Sequence, residues 1–273
     1  MTAGEADLVA RATGGDAAAL EQVVRTVQDP VYRLALRMTG LPADAEDATQ
    51  EILIRVVTRL ASWRGEASLV TWAYRIGVNY LVDLRHRSAL ERRNLTFAAY
   101  QEELADGLGA EQDGPEAAVL ADEVRLRCTQ AMLQCLDRED RVAFVLGEVF
   151  ALPGDEAAWV VGTTPAAYRK RLERSRRRIR AFMQSNCGLV NPANPCRCSR
   201  RIAHAQAQGR LRPGSPMLAT HPTSGATKGA RAQMHDLHDV AAVLRSHPDY
   251  ALPRARSEAV LAVLRSGRFP ALS

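Results

Sequence analysis

Apolar positions in the N-terminal third of the chain recur at helical spacing, and no stretch alternates as a half-buried strand would. Asp16 is placed as an N-cap ahead of the stripe Leu20, Val23, Val24 and Val27. Pro30 suits the first turn of a second helix presenting Val31, Leu34, Ala35 and Met38, and Gly40 and Pro42 then break the chain. A third helix opens with acids and carries Ile52, Leu53, Val56, Val57 and Leu60 on one face. The loop Trp63-Arg64-Gly65-Glu66-Ala67-Ser68 interrupts it. The next helix turns Leu69, Trp72, Ala73, Ile76, Tyr80 and Leu84 inward and leaves Arg75, Arg85 and Arg87 outside, with Trp72 read as core.

Periodicity fades over residues 96–120, where Gly, Asp, Glu and Gln accumulate as in an acidic flexible linker. Two uses stay open for it: a solvated tether, or a polyanion that occupies a channel built for nucleic acid. Residues 121–184 are helical again, with Val124, Leu126, Met132, Leu133 and Leu136 as core candidates, then a helix containing Val142, Phe144, Val145, Leu146 and Val149. A short helix at 155–161, a turn at Gly162-Thr163 and a long basic helix begun by Thr164-Pro165 form the helix-turn-helix pattern. Its second helix enters the major groove, which sets Thr164, Ala166, Ala167, Arg169 and Lys170 near base edges and Arg171, Arg174 and Arg178 near phosphates. Beyond it, Asn-Pro-Ala-Asn-Pro surrounds a group of cysteines, residues 205–232 are rich in Gly, Pro, Ser, Thr and Ala, and 235–247 and 256–266 read as short amphipathic helices, the second through Val260, Leu261 and Leu264. The expected fold is all-α: a helical bundle (5–95), a linker (96–120), a helix-turn-helix domain (121–184) and a small, partly flexible extension without a core of its own (185–273).

Charge sharpens this picture. The net charge of +5 on 273 residues is mild, yet residues 101–123 hold eight acids and no Lys or Arg, while 169–180 hold eight basic residues against Glu173 alone. A basic helix after an acidic segment points toward nucleic acid. No apolar run approaches the roughly 18 residues of a membrane span and no signal peptide opens the chain, so a cytoplasmic protein without a membrane partner is expected. Nucleophile–base pairs, phosphate-binding glycine loops and paired carboxylates in a pocket context are missing from the sequence, so it does not read as an enzyme.

Five cysteines in such a chain do not imply disulfides, and Cys128 and Cys135 read as small buried hydrophobes. Cys187, Cys196 and Cys198 differ: three thiolates within reach, with His204, His235 or His238 to complete a tetrahedral set and Arg197, Arg200 and Arg201 to lower their pKa values. Zinc or another transition metal, redox sensing and no ligand at all remain open readings, and no cofactor is required. His86, His221 and His247 read as surface residues.

The run D-A-E-D-x-x-Q-E, then W-R-G-E-x-S-x-x-T-W-x-Y-R-I, then N-x-x-x-D-x-x-R, resembles the second conserved domain of extracytoplasmic-function (ECF) sigma factors. R-V-A-F-V-L-G-E-V-F-A-L and the basic helix-turn-helix are similar to their fourth domain. The resemblance implies that Asp44, Glu46, Asp47, Gln50 and Glu51 dock on the β′ clamp helices of core RNA polymerase. It implies that Arg64, Gly65, Glu66, Ala67 and Ser68 capture a flipped base of the −10 promoter element, supported by Trp63, Tyr74 and Arg75, with Asn79 at a family position. Thr164, Ala166, Ala167, Arg169, Lys170, Arg171 and Arg174 would serve the −35 element, and the same domain would touch the β flap. The acidic linker would then thread toward the RNA exit path, and a separate anti-sigma protein is a further partner such a chain could have. The other expectation is a stand-alone helix-turn-helix regulator with a metal- or redox-sensing tail, which would need neither the acidic helix nor the aromatic loop.

Overall fold

Asp16 accepts the backbone N–H groups of Ala18 and Ala19 and so starts a helix where the sequence places one. The structure, a computed structural model, describes residues 3–84, 88–211, 216–223, 240–245 and 247–265. The N-terminal bundle comprises α1 (Ala3–Thr13), α2 (Ala17–Thr39), α3 (Pro42–Thr58), a 3-10 turn (Leu60–Ser62) and α4 (Leu69–Asp83). The expected break at Pro30 is absent, for α2 runs straight through it. A proline inside a helix costs about 3 kcal/mol, because it removes one N–H and crowds a carbonyl. Here Val27, Val31, Tyr32 and Leu34 are completely buried on both sides of it, and that burial outweighs the cost.

The segment expected as a flexible linker instead carries α5 (Phe97–Asp106), capped by Thr96, and the start of α6 (Pro115–Gln134). Phe97, Tyr100 and Leu104 share one helical face, and both rings pack on Phe182, with centroids 5.2 and 5.6 Å away. The helix-turn-helix domain continues with α7 (Arg138–Phe144), which passes into a π turn (Val145–Val149), then α8 (Gly154–Val161) and α9 (Pro165–Asn186). The extension supplies a 3-10 turn (Ser199–Arg201), α10 (Ile202–Ala207), α11 (Val240–Arg245) and α12 (Arg254–Arg265). Among the described residues there is no strand, only isolated bridges at Cys187–Cys196 and Thr223–Tyr250. The all-α expectation holds.

One apolar core runs through both helical units and into the extension, whose Leu218, Leu244, Tyr250, Leu252, Val260 and Leu261 are buried in it. The extension thus joins a core shared with the helical units. Polar contacts reinforce the junction between the helical units. Glu91 receives Arg138 Nη2 at 2.8 Å and Arg141 Nη1 at 2.9 Å. Burial pushes the Glu91 carboxyl up, but the two guanidiniums and the Ser88 N–H outweigh it and hold it at about 2.

His221 and His247, expected on the surface, are instead drawn inward. Tyr32 Oη lies 2.7 Å from His221 Nε2 with the rings stacked, and His247 is buried against Thr129 and edge-on to Tyr250. Burial, then the Arg37 and Arg125 cations, push the His247 pKa well below its ordinary 6.5, and burial lowers His221 as well. The docked extension therefore resists the proton that a released one takes up. Docking is at full strength above pH 6.5 and weakens as pH falls below it, by up to about 1.4 kcal/mol per pH unit for one histidine. Hydrogen exchange of α12, corrected for intrinsic rates, is expected to be faster at pH 5.5 than at pH 7.5 by roughly tenfold or more. The His247→Leu variant is expected to lose most of that difference, and equal protection at both pH values would contradict the account.

Candidate nucleic-acid and partner interfaces

Ala45, Ala48, Thr49, Ile52 and Leu53 turn into the core, which leaves the intervening acids of α3 on its outer side. Asp47 and Glu51 are exposed, whereas Asp44, Glu46 and Gln50 are half-buried. Asp44 accepts the Ala89 N–H at 3.1 Å, and Glu46 accepts Arg256 Nε from α12 at 2.8 Å. The acids of α3 lie along one helical surface, and three of its carboxylates, Asp44, Glu46 and Asp47, have partners within the protein.

The loop after α3 is closed on itself. Trp63 Nε1 donates to the Ala67 carbonyl at 3.2 Å, and Gly65 adopts φ 73°, a left-handed conformation that favours glycine. Ser68 then caps α4 by accepting the Thr71 N–H at 3.1 Å. Arg64 and Glu66 are exposed, and Trp63, Ala67, Trp72, Arg75 and Trp159 join them around a cavity of about 220 Å³. Tyr74, expected to support DNA binding, is buried and stacks on Phe150 at 5.5 Å, while Trp72, expected in the core, is half-buried beside the loop. α4 meets α2 and α3 on one side and α8 on another, so a single apolar stripe does not describe its burial. Arg75 is not free: its guanidinium lies 4.5 Å from the Trp159 ring centroid. Asn79 is exposed. Tyr80, read as inward, is half-buried beneath the Arg55 guanidinium.

In the helix-turn-helix, Gly162 at φ 68° ends α8 and Thr164 opens α9 by accepting the Ala167 N–H at 3.2 Å. Tyr168 Oη donates to the Ala143 carbonyl at 3.0 Å and fixes α9 on α7. Thr164, Ala166, Ala167, Arg169 and Lys170 are all exposed on the first turns of α9, where base edges are met in this motif. The arginines expected on phosphates are engaged within the protein. Arg171 pairs with Glu139 at 2.6 Å, Arg174 Nε with Asp140 at 2.9 Å, and Arg178 reaches Asp140 and lies over Phe97. Sequence reasoning missed Phe150 as a packing partner of α4, because nothing local in the sequence ties it to that helix.

Cys187, Cys196 and Cys198 meet around a cavity of about 260 Å³ that Cys128, Tyr100 and His204 also line. Cys128, read as a simple core residue, therefore belongs with the other three. All five cysteines are free thiols. Among the described residues no three Cys, His, Asp or Glu side chains are gathered so as to hold a metal ion. The expected lowering of thiol pKa values is overturned at Cys196 and Cys198. Burial, then the neighbouring thiols, raise Cys198 well above its ordinary value, and Cys196 is raised despite Arg201, Arg197 and Arg200. Arg85, His86, Arg87, His235 and His238 lie outside the described residues. No helix among the described residues is long and apolar enough to cross a membrane.

The family described as Sigma-70 region 2 matches residues 23–91, which take in most of α2 and all of α3, the aromatic loop and α4. The ECF RNA polymerase sigma factor SigE of Mycolicibacterium smegmatis is 33% identical over 173 residues, 62% of this chain and 64% of that one. SigJ of Mycobacterium tuberculosis is 35% identical over 184 residues, 65% of this chain and 55% of its own. The chain thus spans less than two thirds of the length of these two relatives. The RNA polymerase sigma-H factor of Pseudomonas aeruginosa is 30% identical over 181 residues, 65% of this chain and 92% of that protein. Identity at that level across nearly a whole sigma factor, together with the region 2 match on the acidic helix and aromatic loop, places this chain in the family of ECF RNA polymerase sigma factors.

Proposed function

We propose that this chain directs core RNA polymerase to specific promoters and assists in opening the DNA, with no chemistry of its own. The observation that carries the reading is the presence, in one chain, of an acidic helix face, an aromatic loop and an exposed basic reading helix. The carboxylates of α3 suit a basic helical partner, the β′ clamp helices. The loop from residue 63 to 68 supplies the Trp63 indole and an exposed Arg64 for an unstacked base of the −10 element, with Trp72 and Arg75 as its wall. The face formed by Thr164, Ala166, Ala167, Arg169 and Lys170 suits the major groove of the −35 element. A stand-alone regulator would use the third feature and leave the first two without a purpose.

Run-off transcription with purified core polymerase tests this directly. Promoter-specific transcripts are expected only when the chain is added. A protein that binds duplex DNA yet never yields such transcripts would refute the assignment.

A further inference from the structure

α12 lies across α3 and α2, on the side that carries the acids. Arg256 Nε donates to Glu46 at 2.8 Å, and its Nη1 stands 3.5 Å from Asp47. Ser257 Oγ donates to Gln28 at 2.5 Å, and the Leu252 N–H donates to Asp29 at 3.0 Å. Val260 and Leu261 are buried in the same contact. Just before it in the chain, Asp249 pairs with Arg33 of α2 at 3.8 Å, and farther back in the extension His221 stacks on Tyr32. Every polar contact named here runs from the extension to α2 or α3. A cation from the protein's own C-terminal helix therefore sits on two of the carboxylates that a basic partner helix would need.

The opposite side of the bundle is closed in the same conformation. Thr71 donates to Glu156, Arg75 lies over Trp159 and Tyr74 stacks on Phe150, so α8 and its neighbours cover the helix behind the aromatic loop. The reading face of α9 remains exposed. The molecule is thus folded with the reading face of α9 exposed and with Glu46 and Asp47 of α3 engaged by the extension.

We infer that the segment 249–263 is an intramolecular clasp that competes with core polymerase for α3, with Arg256 standing in for the basic side chains of the clamp helices. This rests on the reading of Asp44, Glu46, Asp47, Gln50 and Glu51 as the polymerase-docking face. The clasp is built to release. Arg256 is 40% exposed and Asp47 71% exposed, and ion pairs at such sites are weak and screened by salt. The histidine contacts that hold the preceding segment are neutral and weaken in acid, so the clasp is also biased toward opening at low pH. Buried Val260 and Leu261 supply the part of the contact that salt does not screen.

The experiment uses the full chain and measures its affinity for core polymerase, with hydrogen exchange of α12 and α3 read in parallel. Arg256→Glu turns the attraction into repulsion. If the clasp is closed about nine-tenths of the time, opening it tightens core binding about tenfold, and faster exchange in α12 accompanies it. Arg256→Ala is expected to give a smaller change in the same direction. Glu51→Arg alters an exposed docking residue outside the Arg256 ion pairs, and it is expected to weaken core binding. If Glu51→Arg weakens binding while both Arg256 variants leave it unchanged or weaken it, with α3 still protected, the clasp is refuted and the docking reading stands. If Glu51→Arg has no effect, the docking reading falls and the clasp falls with it.

Discussion

Replacing Arg141 by leucine is expected to cost about 3–5 kcal/mol of stability, because it removes one member of a buried charged network. Arg141 is only 3% exposed, and its guanidinium serves four acceptors. Nε donates to the Leu133 carbonyl at 3.0 Å and Nη2 to the Leu136 carbonyl at 3.1 Å, while Nη1 donates to the Met38 carbonyl and to Glu91. Leucine fills part of the volume but leaves three carbonyls without this donor and Glu91 with Arg138 as its remaining guanidinium. The Met38 carbonyl keeps Gln134 Nε2 and the Leu133 carbonyl keeps the Leu136 N–H, so the penalty of about 1–3 kcal/mol for an unsatisfied buried group falls at most on the Leu136 carbonyl, beside the cation lost at Glu91. Urea unfolding followed by circular dichroism measures the effect. Arg138→Leu serves as the comparison, since that side chain is 20% exposed and water can reach its partners. A loss at Arg141 no larger than that at Arg138 would contradict the network. The double variant Glu91→Gln, Arg141→Leu is expected to lose less than the sum of the singles, because Arg141 and Glu91 no longer strand each other, while Arg138 loses its carboxylate in the double as in the Glu91 single.

The double variant Arg169→Ala, Lys170→Ala is expected to lower affinity of the holoenzyme for a promoter duplex selected from a random pool by roughly a hundredfold. A base-reading or phosphate-binding cation is worth about 1–3 kcal/mol, so two of them reach that magnitude. Salt dependence separates the two modes. Phosphate contacts would reduce the slope of log affinity against log salt by about one for each cation lost. Base contacts would leave the slope near its original value and relax the preferred sequence at specific positions. Unchanged affinity would remove these residues from the reading face. Arg174→Ala is expected to behave differently, by loosening the fold around Asp140, which is 1% exposed and accepts Arg174 and Arg178.

The elements that could be read from the sequence are those fixed by neighbours close along the chain. Asp16, Ser68 and Thr164 each cap the helix they precede, and each bond spans two or three residues. The acidic helix, the loop and the basic helix follow from the same local chemistry. What escaped detection depends on distant partners. α5 looks like acidic linker until Phe182, more than 80 residues away, supplies the ring on which Phe97 and Tyr100 pack. Tyr74 is buried because Phe150, distant in the sequence, stacks on it from outside α4. Burial of His221 and His247 depends on Tyr32 and Thr129, separated from them by 189 and 118 residues. Pro30 misled for a related reason, since the helix boundary was set by burial on both sides and not by the residue itself.

The helix that holds Glu46 and Asp47 through Arg256 belongs to the same polypeptide, and that has a consequence for dosage. A competitor joined by covalent chain acts at an effective concentration fixed by its tether, in the millimolar range for short flexible connections, however many copies the cell makes. Raising expression raises sigma and competitor together, one for one, so overproduction cannot titrate the block away as it would a separate protein. Output would then follow the conditions that open each molecule, with little dependence on how many molecules there are.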